Sequence, residues 1–163
     1  DYPTLEEERQ IVTSTTADRD VEVKAVLEQQ QIVDLQAAVR RVPVAPAVVD
    51  HAIELVRKTR VKSKQGVPDF MRQWVSWGAG PRASQYLVLG AKARAAINGR
   101  YHVTMEDLRA VAKPVLRRRI LTNFSAEADG ITTDVVIEKL LEDTPPADGD
   151  LTRDRDVSPA FTK

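Results

Sequence analysis

Thr104-Met105-Glu106-Asp107-Leu108-Arg109-Ala110-Val111-Ala112-Lys113-Pro114-Val115-Leu116 carries the strongest helical signal in this sequence. Thr104 is suited to cap a helix with Asp107 three residues on, and Leu108, Val111, Ala112, Val115 and Leu116 follow at helical spacings along one face. Pro114 interrupts the pattern. Its missing N–H and its ring predict a break or kink near Ala112-Lys113, followed by a second short helical piece to Arg119. Upstream, residues 81–98 read as a helix rich in small side chains, closed by Asn98-Gly99. Gly90 in its interior points to a close helix–helix approach.

The start of that helix is the candidate functional feature. Within Trp77-Gly78-Ala79-Gly80-Pro81-Arg82-Ala83-Ser84, Gly80 takes the N-cap position, and Pro81 suits the first helical position, where a missing N–H costs nothing. Arg82 then lies at the positive end of the helix dipole, where stability alone would favour an acid. A cation there suits an anion such as a phosphate. A solvated surface arginine is the plain alternative.

The remaining sequence is also helical in pattern. Thr4-Leu5-Glu6-Glu7 is a capping-box pattern before a short helix through Val12, and residues 13–27 lose periodicity. Ile32, Leu35, Val39 and Val42 mark an amphipathic helix over 28–42. Pro46 starts another, with Val49, Ile53 and Val56 on one face and Val48, Ala52 and Leu55 widening the stripe. Phe70, Trp74 and Trp77, at spacings of four and three, suit core packing better than a base-stacking platform. Residues 131–142 form a last helix capped by Thr132 or Thr133. After Pro145-Pro146 the sequence turns polar and acidic, which predicts a flexible tail over 147–163. No alternating strand and no repeat are evident. The expected fold class is all-α, a helical bundle with a flexible C-terminal tail.

With 42% hydrophobic and 29% charged residues, the composition is that of a soluble globular chain. No run approaches the roughly 20 apolar residues of a bilayer span. Zero cysteines exclude disulfides and thiolate metal sites and suit a cytoplasmic protein. His51 and His102 are isolated, His51 reading as an ordinary residue at a helix margin. No Ser/His/Asp set, no metal-ligand spacing and no Gly-x-x-x-x-Gly-Lys-Ser/Thr loop occurs, so the sequence holds no complete active site and no metal site. The absence of an initiator Met suggests a piece of a longer protein.

Charge is segregated although the formal net charge is zero. Residues 57–119 hold fifteen Lys/Arg against three acids, while both flanks are acidic. A positive centre could steer nucleic acid or a phosphate ligand; alternatively, acidic flanks fold back and neutralise it. Arg117-Arg118-Arg119 near a helix end can cap it or meet a phosphate or an acidic neighbour.

Several motifs occur together in order: Trp77 to Ala83, Ala91-Lys92-Ala93-Arg94-Ala95-Ala96, Gly99-Arg100, Val103-Thr104 with Glu106-Asp107, and Val115-Leu116-Arg117 with Arg119-Ile120. This set resembles the C-terminal helical lid of MoxR-family AAA+ ATPases. Tyr2-Pro3 with Glu6-Glu7-Glu8 is similar to the segment leaving that family's nucleotide-binding core, and Gln30 through Thr59-Arg60 to the lid's first helices. The resemblance covers roughly residues 1–146. It departs at Gly80, where the family often has Ser, and at Arg118, where it usually has His. It implies a connector over 1–27 from a nucleotide-binding core, a lid bundle over 28–125, a C-terminal helix over 126–146 and a polar tail over 147–163. It further implies that Arg82, presented by Gly80 and Pro81, is the sensor-2 arginine that reaches the γ-phosphate of ATP. ATP and Mg²⁺ would be held by the core of the parent ATPase, with no cofactor held by the lid alone. The implied partners are the chain's own N-terminal core, neighbouring protomers of a ring (usually hexameric) and von Willebrand factor A-domain proteins, in chaperone-like remodelling. The competing function is a free-standing basic helical module that binds nucleic acid.

Overall fold

Helices in this chain begin where a short side chain or a proline deals with the first free amides. The computed structural model describes residues 2–18, 24–63 and 65–146; the tail expected over 147–163 lies outside the described residues. Thr4 caps α1 (Leu5–Thr16) through a capping box with Glu7. This helix runs past the expected end at Val12. In this extra turn, which lacks apolar periodicity, Thr13, Thr15 and Thr16 donate their hydroxyls to the carbonyls of Arg9, Ile11 and Val12. No residue of α1 is buried.

The chain divides into two compact units between Asp34 and Leu35, within α2 (Gln29–Arg41). The amphipathic stripe predicted for α2 is present, but Ile32 and Leu35 are exposed. The larger unit contains α3 (Pro46–Lys58), α4 (Asp69–Trp74), β1 (Val75–Trp77), α5 (Pro81–Ile97), α6 (Met105–Leu116), β2 (Leu121–Thr122), α7 (Phe124–Ala128) and α8 (Thr133–Asp143). Among its described residues it is all-α apart from β1 and β2, which pair antiparallel with Val75 opposite Thr122 and Trp77 opposite Leu121. Neither segment has enough length for an alternating pattern to be visible in sequence.

The core lies where α5 packs on α6 and α3, with α8 against α6 and α3. On α5, Ala83, Leu87, Ala91 and Ala95 recur every four residues and are fully buried. Three alanines in four let neighbouring helices approach along this face, and Leu108, Ala112 and Leu116 of α6 are fully buried beside them in the same core. Burying each leucine stabilises the fold by about 1.5–3 kcal/mol. On α3 the buried face is Val48, Ala52, Leu55 and Val56, whereas Ile53 is exposed and Val49 half-buried. The residues expected to widen the stripe therefore form its centre.

Three further expectations are corrected. The predicted break at Pro114 does not occur, since α6 continues to Leu116 and Arg119 lies in a turn. Pro114 and Ala110, whose carbonyl loses its partner, are both exposed, so water can satisfy that carbonyl while the opposite face packs. The helix carrying Phe70 ends at Trp74; Trp77 enters β1 and is 57% exposed, while Met71 and Val75 take the buried positions. Phe70 and Trp74 pack at the edge of the core. His51 is buried rather than marginal, at 5% exposure, and among the described residues its Nε2 has no hydrogen-bond partner.

Candidate functional site at the start of α5

Between β1 and α5 the backbone crosses the C-terminal end of α3 at very short range. A Cβ on Gly78 would lie 1.9 Å from the carbonyl oxygen of Thr59, so only glycine fits. The buried Thr59 hydroxyl accepts the Ala79 N–H at 2.8 Å and donates to the Val56 carbonyl at 2.7 Å. Arg60 Nε donates to the Ala79 carbonyl at 3.4 Å. Gly80 follows in extended conformation as N-cap and supplies no side-chain cap; Pro81 is the first helical residue and Arg82 the second. Arg82 is exposed and, among the described residues, its guanidinium has no hydrogen bond or ion pair. Nearby in sequence, Lys62 Nζ lies 4.5 Å over the Trp77 ring. An uncapped helix start with a free guanidinium in its first turn fits a phosphate oxygen.

The other arginines singled out in the sequence are differently engaged. Arg117 is taken by Asp134 of α8, and Arg119 lies over the Tyr86 ring and donates to the Val115 carbonyl. Arg118 is exposed and without a partner among the described residues. Lys113 pairs with Glu138, and Lys58 with Glu54 and Asp143. The acidic C-terminal flank thus folds back onto the basic centre, and three carboxylates of α8 neutralise three of its cations.

Asp107 is the charged group most enclosed in the core. Burial pushes its carboxyl up, but the Thr104 N–H and hydroxyl, Arg94 Nη1 at 2.7 Å and Arg100 outweigh this and hold it below its ordinary value. Thr104 and Asp107 were legible as a capping box. The convergence of Arg94 and Arg100 on that carboxylate was not, and neither was the role of Gly78. For Gly78, the Gly-Ala-Gly run was the available signal.

Residues 71–140 match the family model of the AAA lid domain. Over 141 residues, 86% of the chain is 33% identical to the Chaperone MoxR1 of Mycobacterium tuberculosis, covering 37% of that protein. The chain contains an AAA+ lid domain of the MoxR type. The same extent is 23% identical to the uncharacterized protein YeaC of Bacillus subtilis, covering 41% of it. A crystal structure of a candidate ATPase from Cytophaga hutchinsonii superposes on this lid with a TM-score of 0.69 and 29% identity, over 87% of this chain and 43% of that one. The chain therefore spans less than half the length of the relatives it matches. Among the described residues, no helix is long and apolar enough to cross a membrane.

Proposed function

We propose that this lid delivers Arg82 as a sensor-2 arginine to the γ-phosphate of ATP bound by a nucleotide-binding core in the same polypeptide. The observation that carries this is the exposed guanidinium, unpartnered among the described residues, at the second position of a helix whose N-cap residue offers no side chain. Membership of the MoxR family supports a core that holds ATP and Mg²⁺, since the lid sequence has no phosphate loop. Bound there, ATP supplies the transferable phosphoryl group and its developing charge. Arg82 contributes positive charge to the terminal phosphate, while Gly80 and Pro81 start the helix that carries it. Loss of that phosphate removes the partner of Arg82 and releases the lid, which is how hydrolysis would drive chaperone-like remodelling. The assembly would be a cytoplasmic ring, a hexamer in the usual form, acting on partners such as von Willebrand factor A-domain proteins.

The test is Arg82→Ala in the polypeptide that joins lid and core. Its fold should be retained and its ATP turnover should fall about tenfold or more, as for removal of one charge-stabilising donor. Unchanged turnover would remove Arg82 from the mechanism. Nucleic-acid binding is the less favoured function because α8 already neutralises Lys58, Lys113 and Arg117. Duplex DNA retained at physiological salt with a steep salt slope would reverse that preference.

A further inference from the structure

We infer that Thr59 is a positioning residue for Arg82, acting from the far side of the loop that starts α5. This rests on the reading of Arg82 as the nucleotide-facing cation. Three contacts bind the loop to the end of α3, and all three involve Thr59 or its neighbour Arg60. The Thr59 hydroxyl, fully buried, accepts the Ala79 N–H at 2.8 Å while donating to Val56 at 2.7 Å, so both its hydrogen-bonding roles are committed. Gly78 lies so close to the Thr59 carbonyl that no side chain fits between them. Arg60 holds the Ala79 carbonyl. Ala79 is thereby held at its N–H and its C=O, two residues before Pro81.

Proline's fixed φ at position 81 and the buried Ala83 at position 83 transmit that placement to Arg82, which among the described residues has no hydrogen bond or ion pair of its own to orient it. A hydroxyl at position 59 thus sets where the free guanidinium is presented. In the absence of the hydroxyl, the loop would lose its only buried side-chain tether among the described residues. The helix start would then sample several positions, and a guanidinium aimed at a phosphate loses binding steeply with such misplacement.

The experiment compares Thr59→Val, Thr59→Ser and Arg82→Ala, with the double variant Thr59→Val/Arg82→Ala, in the lid–core polypeptide. Three quantities are read: amide exchange at Ala79, the Kd for Mg²⁺·ATPγS, and kcat with KM for ATP. Thr59→Val should speed Ala79 exchange and weaken ATPγS binding by about tenfold, the scale of one buried hydrogen bond, while Thr59→Ser restores both. On the Arg82→Ala background Thr59→Val should add nothing to the nucleotide defect, because both act through one guanidinium. A purely structural threonine would instead give additive losses. If Arg82→Ala leaves ATPγS binding and turnover unchanged, the sensor reading itself fails. If Arg82→Ala impairs them but Thr59→Val, with faster Ala79 exchange, leaves them intact, the positioning role is overturned. Should Thr59→Val not fold, Arg60→Met carries the same comparison through the Ala79 carbonyl, with weaker ATPγS binding expected and unchanged binding overturning the proposal.

Discussion

Asp107, with no exposed surface, receives Arg94 Nη1 at 2.7 Å across the packed faces of α5 and α6. The same carboxylate binds Arg100 and closes the capping box of α6 with Thr104. One side chain therefore closes the capping box of α6 and ties that helix to the last turn of α5. Asp107→Asn should destabilise the lid by about 2–3 kcal/mol, because two guanidinium groups lose their counter-charge although both reach solvent. The carboxyl is held below its ordinary value of 3.8, so its contribution is complete above that value and is lost as the pH falls further. Urea midpoints of the wild type and Asp107→Asn should converge only in strong acid; a constant gap across that range contradicts the assignment.

Leu116 is fully buried at the end of α6, beyond Pro114. Leu116→Ala should cost about 2–5 kcal/mol, as core truncations of this size do. Denaturant unfolding with no loss would mean that the last turn of α6 does not pack as described.

Two glycines are expected to respond in opposite directions. At Gly78 an added Cβ meets backbone at 1.9 Å, and Gly78→Ala should destabilise by about 3 kcal/mol or more. Gly90 faces Val111, where a Cβ would sit at 3.5 Å, an ordinary contact. The close approach expected from sequence is real there but does not require glycine, and Gly90→Ala should stabilise by about 0.5–1 kcal/mol. Thermal melts of the two variants on opposite sides of the wild type would bear this out.

His51 gives the fold a pH dependence near neutrality. Burial pushes its imidazole below the ordinary 6.5; Glu54 opposes this, and Arg109 and Lys58 add to it. The unfolded chain takes up a proton that the folded state refuses, so stability is full above 6.5 and declines as the pH falls below it. The urea midpoint should be lower at pH 5.5 than at pH 7.5, and His51→Leu should reduce that difference. Equal slopes in both proteins would show that another group is responsible.

Most helices were legible because their signals are local. The Thr4 and Thr104 capping patterns, Pro46, Pro81 and Asn98-Gly99 act within one turn, and periodicity in 104–116 marks the buried face directly. Pro114 misled because proline's local cost is independent of its surroundings, whereas here packing of Ala112 and Leu116 holds the turn together. Trp77 misled because helical spacing was carried across a helix end that only the pairing with Leu121 creates.

Sequence by itself determined the helical class, the start of α5 and the presence of a cation in its first turn, since these follow from neighbours within four residues. Tertiary structure alone decided which cations remain free. Asp134, Glu138 and Asp143 claim Arg117, Lys113 and Lys58, and Asp107 claims Arg94 and Arg100, all through contacts between residues distant along the chain or across a loop. Among the described residues Arg82 has no hydrogen bond or ion pair, and the loop before it is held by Thr59 and Gly78 against the end of α3, about twenty residues away in sequence, where no local pattern records the contact.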